Sequence, residues 1–310
     1  IDLNTQMLKK KPINSHFSIK KKRKILGYKN FKPILNFLRK FNLKSFNNKQ
    51  KIKEYLNFFE LSYLIKKIPE DKKSFKYPKF LRTVKEDETK PHYDGLDDLC
   101  RLHWIVLSRK VLTTLEFGSG FSTIFIADAC FILSFYYKEI IGEVRVEKKF
   151  HVFSLDESSK FLKVTKKRIP QILTKHITLA QSKVKIIEYQ NKIATIYSKM
   201  PDSSPDLIYL DGPSTYLKKR LKGFSFNNIS RFPMSADILY IEYFLEPGTF
   251  IIVDGRTANA RFLKDHLKRK WKYYHDRPGD CHYFELVESS LGPYNKRKID
   301  FCLRDKIKSF

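Results

Sequence analysis

The run LTTLEFGSGFSTIFIADA, residues 112–129, constrains the fold of this chain more than any other segment. Its first part is apolar and β-branched, which is typical of a buried strand, and its last part has the apolar content of a helix. Between them, Gly118 and Gly120 allow the backbone to turn sharply, and Ser122 or Thr123 can cap the helix. The run therefore predicts a strand, a glycine turn and a helix whose first residues face a bound ligand.

Glu116 lies two residues before the first glycine of this turn. At the carboxyl end of a strand, its carboxylate would attract a ligand that carries a positive group rather than a pyrophosphate. The dinucleotide fingerprint also requires a third glycine and an acidic residue about 20 residues further on. Thr123 stands in place of that glycine, and the next acid that ends a strand-like run is Asp156, well beyond that distance. These observations argue against a dinucleotide-binding protein.

Four apolar, strand-like runs of the chain end in acidic residues. One run leads to Glu116, and the others lead to Asp156 and Glu157, to Asp211 after residues 207–210, and to Asp254 after residues 249–253. Open parallel sheets bind ligands in the crevice outside the carboxyl ends of their strands. The recurrence of these acids therefore predicts a ligand site at that edge of a parallel sheet.

Helical patterns lie between and after these strands, so strands and helices alternate along the chain. The predicted helices cover residues 96–108, 158–169, 236–245 and 258–270. Residues 271–276 and 281–288 are strand-like and flank a Pro278-Gly279 pair that is typical of a type II turn, and hence of a hairpin. The predicted fold is an α/β protein with a doubly wound, mostly parallel seven-stranded sheet, a C-terminal antiparallel hairpin and a basic, partly helical N-terminal region.

The segment EFGSGFS resembles motif I of the class I S-adenosylmethionine-dependent methyltransferases, an acidic residue followed by GxGxG, with Ser122 in place of the last glycine. The resemblance implies a Rossmann-like methyltransferase fold in which the acid and the turn hold the methionine end of the cofactor. An acid at the end of the second strand bonds the ribose hydroxyls in that family. The alternative for Asp156 is a solvent-facing acid that caps the next helix. The candidate cofactor-binding residues are Glu116, Gly118, Ser119, Gly120, Ser122, Thr123, Asp156 and Glu157.

Asp211 and Asp254 are the candidate catalytic residues. They occupy the places where catechol-type and macrocin-type O-methyltransferases, which the chain resembles, hold Mg²⁺ with carboxylates. Those families usually follow the second acid with Asp or Asn, whereas this chain has Gly255 and Arg256. Asp211 as a metal-free base is therefore favoured over a Mg²⁺ site. An equally open alternative makes Asp254 a cap for the helix that starts near Thr257.

Residues 1–90 differ in composition from the rest of the chain. They hold 25 Lys and Arg against 8 Asp and Glu, and so carry 17 of the 28 formal positive charges. An amphipathic helix that packs on the catalytic domain is predicted by the helical spacing of Ile52, Tyr55, Leu56, Phe59 and Tyr63. The run KKKRK at residues 20–24 is read as a solvated leader, with a nucleic-acid patch as the alternative. The predicted division is an N-terminal region of residues 1–90 and an S-adenosylmethionine-binding methyltransferase domain of residues 91–310.

The predicted function is methyl transfer from S-adenosylmethionine to an oxygen of a small molecule or sugar. The alternatives are an RNA methyltransferase that uses the basic N-terminal region, and a non-catalytic scaffold protein. The four cysteines show neither CxxC nor Cys/His pairing, so neither a zinc site nor a disulfide framework is indicated, and a reducing, cytoplasmic location fits best. Residues 124–137 are too short to span a membrane and contain Asp128.

Overall fold

The structure, a computed structural model, describes residues 23–65, 95–139, 141–214, 220–228 and 231–305. The helices are α1 Lys32–Leu38, α2 Lys49–Phe58, α3 Ser62–Ile65, α4 Leu96–Ser108, α5 Phe121–Tyr137, α6 Ser159–Arg168, α7 Asp237–Ile241, α8 Thr257–His266 and α9 Pro293–Leu303. The strands are β1 Thr113–Phe117, β2 His151–Asp156, β3 Ile177–Gln181, β4 Val184–Tyr189, β5 Lys192–Tyr197, β6 Leu207–Leu210, β7 Arg220–Leu221, β8 Phe224–Ser225, β9 Phe250–Asp254, β10 Trp271–Asp276 and β11 Cys281–Leu286.

The main sheet has seven strands in the order β10-β11-β9-β6-β1-β2-β3. Strands β1, β2, β3, β6 and β9 run parallel, and β11 is antiparallel to both of its neighbours. Apolar side chains of α4 and α5 pack on one face, and those of α7 and α8 pack on the other. This confirms the predicted doubly wound, mostly parallel sheet with a C-terminal hairpin. The short hairpins β4–β5 and β7–β8 were not predicted.

Two predicted helices are shorter in the structure. The helix predicted at 258–270 is Thr257–His266, because the backbone amides of Lys268 and Arg269 donate to the Glu242 carboxylate, each at 2.8 Å, instead of continuing the helix. The helix predicted at 236–245 is Asp237–Ile241 followed by a 3₁₀ turn, Glu242–Phe244.

The predicted type II turn in the C-terminal hairpin is wrong. A type II turn requires positive φ at Gly279, but the positive φ of 43° falls on Asp280. Gly279 is needed for a different reason, since a Cβ there would collide with the Arg101 guanidinium and lie 2.6 Å from the Asp276 carboxylate. Arg101 in turn donates to the Gly279 carbonyl oxygen at 3.0 Å. The glycine therefore allows α4 to approach the hairpin.

Residues 23–65 share a hydrophobic core with the helices of the sheet layer. The rings of Phe46 and Tyr55 lie 5.5 Å apart, and Phe46 lies 5.8 Å from Trp104 of α4. The indole nitrogen of Trp104 donates to the Leu38 carbonyl oxygen at 3.1 Å. Tyr55 of α2 is fully buried, but the predicted amphipathic helix ends at Phe58, because Glu60 has a positive φ of 52° and Tyr63 belongs to α3. The described part of the N-terminal region is thus packed against α4 rather than held apart by a linker.

A buried ion pair joins this region to α5. The Arg23 guanidinium contacts both carboxylate oxygens of Asp128, at 2.6 and 3.0 Å, and both side chains are almost completely buried. Asp128 also accepts hydrogen bonds from the Tyr63 hydroxyl at 2.5 Å and from His103 Nε2 at 3.2 Å. The interpretation of the basic run at residues 20–24 as a solvated leader is therefore wrong for Arg23. Residues 20–22 of that run lie outside the described residues.

Helix α5 is the longest described helix, with 17 residues, and it buries the Asp128 carboxylate within its apolar surface. In the described ranges, no helix combines the length and the apolar character that crossing a bilayer requires.

Candidate functional site

Glu116, at the carboxyl end of β1, is completely buried beside the glycine turn. The Thr123 hydroxyl donates to Glu116 Oε2 at 2.5 Å and accepts from the Gly120 amide at 3.1 Å. Thr123 thereby fixes one carboxylate oxygen of Glu116, while Oε1 is buried without a hydrogen-bond partner. Burial raises the pKa of Glu116 to about 7, against the opposing effect of its hydroxyl neighbours. A ligand that brings a hydrogen-bond donor or a positive charge would satisfy this buried, unpartnered oxygen.

Gly118 permits a close approach between two strand ends. Its φ is +95°, and a Cβ there would lie 3.1 Å from the backbone of Asp211 and Gly212. Gly212 is as tightly enclosed, because its Cβ would lie 2.7 Å from the Gly118 nitrogen and 2.8 Å from the Tyr197 hydroxyl. The sequence analysis missed Gly212 as a site residue. Its position directly after an acid that ends a buried strand is the signal that could have identified it.

Gly118→Ala is expected to weaken S-adenosylhomocysteine binding by about tenfold or more, because a left-handed alanine strains the turn by roughly 1–2 kcal/mol and pushes it away from Asp211. The measurement is calorimetric titration of both proteins. Gly142→Ala is the matched control, since a Cβ there meets nothing within 4 Å and the residue lies outside the glycine turn. Equal losses of affinity in the two variants would show that the close approach at Gly118 is not what shapes the site.

Asp156, at the carboxyl end of β2, connects that strand to the glycine turn. Its Oδ2 accepts hydrogen bonds from the Ser119 amide at 3.0 Å and from the Ser119 hydroxyl at 3.3 Å, and its Oδ1 accepts from the Ser158 amide at 2.8 Å. The cap of α6 is Ser158, whose hydroxyl accepts from the Phe161 amide at 3.2 Å. Asp156 therefore does not take the N-cap position considered as its alternative role. Glu157 follows it with a partly exposed side chain.

Asp211 follows β6, and 54% of its side chain is exposed. Arg256 Nη2 donates to the Asp211 carbonyl oxygen at 2.7 Å, and Arg256 Nε lies 3.7 Å from Asp211 Oδ1. The surrounding protein and the nearby Asp254 charge raise the pKa of Asp211 to about 7, and Arg256 acts in the opposite direction. Because the side chain is half exposed, solvent screening reduces this increase. Asp211 thus combines accessibility to a ligand with an affinity for protons above that of an ordinary aspartate.

Asp254, the last residue of β9, has partners on both carboxylate oxygens. The Tyr209 hydroxyl donates to Oδ2 at 2.5 Å, and the Cys281 thiol donates to Oδ1 at 3.2 Å. The first helical residues after it show no side-chain cap, so the alternative of Asp254 as a helix cap does not hold. Its hydrogen bonds instead join β9 to β6 and β11.

These acids are the candidate ligands of a divalent metal ion. Asp98, Asp254 and Cys281 offer ligand atoms within 4.8 Å of one another, but the Arg101 guanidinium forms an ion pair with Asp98. Asp254 already accepts two hydrogen bonds, and Asp211 is paired with Arg256. Mg²⁺ needs several carboxylate or water oxygens free to surround it. The donor set at this edge does not fit a divalent ion.

The order of the seven strands, the antiparallel β11 and the acid and glycine turn after β1 together define the fold of the class I methyltransferases. The chain is similar to the precorrin-6y C5,15-methyltransferase of Geobacter metallireducens GS-15, with 14% identity and a TM-score of 0.31 over 59% of this chain and 83% of that one. It is also similar to the SAH-bound methyltransferase PaMTH1 of Podospora anserina, with 10% identity and a TM-score of 0.37 over 74% of this chain and 94% of that one. No protein-family model and no curated protein matches the chain.

Proposed function

We propose that the chain is an S-adenosylmethionine-dependent methyltransferase. The observation that carries this proposal is the buried Glu116 carboxylate, which has one oxygen fixed by Thr123 and the other without a partner. The amino group of the cofactor supplies both the donor and the positive charge that this oxygen lacks. The close approach of Gly118 to the Asp211 backbone brings the end of β6 next to the turn that follows Glu116, so that one ligand can contact both.

The remaining candidate residues have distinct roles in this proposal. Ser119, Gly120, Ser122 and Thr123 form the turn against which the methionine end lies, and Asp156 and Glu157 receive the ribose hydroxyls. Asp156 also fixes the position of the turn through the Ser119 amide. The bound cofactor supplies an activated methyl group, so the protein has to orient the acceptor oxygen and remove its proton.

Asp211 is the proposed base, and the acceptor is an oxygen of a small molecule or sugar. Its carboxylate is exposed at the end of β6, and its raised pKa suits proton transfer near neutral pH. Asp254 assists indirectly, because its charge raises the pKa of Asp211 while its own oxygens are held by Tyr209 and Cys281. Within the basic run, Arg23 is buried in an ion pair with Asp128, so its charge is not available to an RNA acceptor.

Calorimetric titration with S-adenosylhomocysteine tests the proposal, with NAD as the control ligand. We expect saturable binding of S-adenosylhomocysteine and none of NAD. Asp211→Asn should leave this affinity nearly unchanged, because Asp211 belongs to the acceptor side of the crevice. A folded protein that does not bind S-adenosylhomocysteine would contradict the proposal and favour the scaffold alternative.

A further inference from the structure

We infer that the guanidinium of Arg256 is the resident cation at the acceptor end of the crevice, and that it excludes a divalent metal ion from the two aspartates there. This inference rests on the proposed function in one respect, because it takes the crevice beside Asp211 as the acceptor site. It concerns which positive group faces the acceptor oxygen, which cofactor binding alone does not decide.

Arg256 is held beside the accessible carboxylate of Asp211. It lies in the loop directly after β9, where its Nη2 bonds the Asp211 carbonyl oxygen at 2.7 Å and its Nε lies 3.7 Å from the Asp211 carboxylate. Only 16% of its side chain is exposed, and Nε is buried without a hydrogen-bond partner. A guanidinium fixed in this way places a permanent positive charge beside the accessible carboxylate.

Asp254 is the other acid that a metal ion would need as a ligand. Both of its oxygens accept hydrogen bonds, from Tyr209 and Cys281. Arg101, a buried residue of α4, lies close by; burial alone would lower its pKa, but Tyr283, Cys281 and Asp254 hold the pKa above its usual range. Each of the two acids therefore has a guanidinium in its surroundings, and a divalent ion between them would face two fixed positive charges.

The chemical consequence is a division of roles between two neighbouring side chains. The guanidinium can stabilise negative charge that develops on the acceptor oxygen, and Asp211 accepts the proton that this oxygen loses. A single hydroxyl is sufficient for this arrangement, whereas metal-assisted transfer favours an acceptor with two oxygens that chelate the ion.

The test is Mn²⁺ binding, measured from the electron paramagnetic resonance signal of free Mn²⁺ on the full chain with S-adenosylhomocysteine present. Mn²⁺ prefers carboxylate and water ligands, as Mg²⁺ does. We expect no detectable binding of Mn²⁺ to the wild type, saturable binding to Arg256→Glu, and loss of that binding when Asp211→Asn is added. Arg261→Gln, which removes an exposed arginine of α8, is the matched control and should behave like the wild type.

Wild-type binding of Mn²⁺ that Asp211→Asn removes would overturn the inference. So would a folded Arg256→Glu protein that binds Mn²⁺ no better than the wild type, because Arg256 would then not be the excluding group. Arg256→Gln provides a milder variant if the glutamate prevents folding. Calorimetric titration of the same samples with S-adenosylhomocysteine shows whether the cofactor site is intact. It therefore distinguishes a failure of this inference from a failure of the proposed function.

Discussion

Asp128→Asn is expected to lower the free energy of unfolding by about 3–5 kcal/mol, the usual cost of removing one partner from a buried ion pair. The substitution leaves the Arg23 guanidinium, which is 6% exposed, without its carboxylate. It also removes the charged acceptor of the Tyr63 hydroxyl and of His103. Urea denaturation followed by circular dichroism measures this change.

The double variant Arg23→Met with Asp128→Leu should recover much of the loss, because no unpaired charge remains buried. The exposed pair Lys296–Asp300 is the matched control, and Lys296→Ala should change stability by about 1 kcal/mol or less. If Asp128→Asn changed stability as little as this control does, the buried pair would not be what holds the N-terminal helices in place.

The same ion pair gives a pH dependence with a definite sign. Burial alone would raise the pKa of Asp128, but Arg23 and His103 lower it below its usual range. A carboxyl group whose pKa is lowered in the folded state contributes stability at pH values above its unfolded pKa of about 4. That stability is lost as the pH falls. The wild type should therefore lose more stability than Asp128→Asn between neutral and acidic pH.

Glu116→Gln is expected to stabilise the cofactor-free protein and to weaken S-adenosylhomocysteine binding by about 1.5–3 kcal/mol, the value of a hydrogen bond to a charged group. Burial raises the pKa of Glu116 to about 7. The folded protein then binds a proton that the unfolded chain releases at lower pH, so stability falls as the pH rises through this interval. The loss of stability approaches about 3 kcal/mol above pH 7, and it does not occur in Glu116→Gln.

Glu242→Gln is the control for this experiment. Glu242 is a buried carboxylate that holds the amides of Lys268 and Arg269, away from the glycine turn. Its substitution should change the melting temperature without changing the affinity for S-adenosylhomocysteine. If Glu116→Gln bound that ligand as tightly as the wild type, Glu116 would not be the contact for the amino group.

Much of the fold could be predicted because its signals are local. Apolar runs followed by an acid marked β1, β2, β6 and β9, and the alternation of strands with helices gave the parallel sheet. Partners distant in sequence could not be predicted in this way. Arg23 belongs to a basic run whose charges are usually solvated, and its partner Asp128 is 105 residues away.

In the candidate site, too, contacts between residues distant in sequence could not be predicted. Glu116 and Gly118 were identified from one short segment, whereas Gly212 is constrained by Gly118, in the turn after β1, and by Tyr197 of β5. Similarly, the sequence placed Asp254 at a strand end but could not reveal that Tyr209 and Cys281 hold both of its oxygens. Residue type and spacing predict the edge of the sheet at which a side chain lies, but the groups it contacts there depend on how the strands pair.

The 105-residue separation between Arg23 and Asp128 also has a consequence for synthesis on the ribosome. At about 5–20 residues per second, roughly 5–20 s pass between the emergence of the arginine and that of its carboxylate. During this interval the rings of Phe46, Tyr55 and Phe59 can pack on one another, but α5 is still incomplete and the cluster has not reached its final burial. The nascent chain therefore carries the Arg23 cation without its carboxylate for about 5–20 s, so this ion pair can form only after most of the N-terminal helices have already emerged.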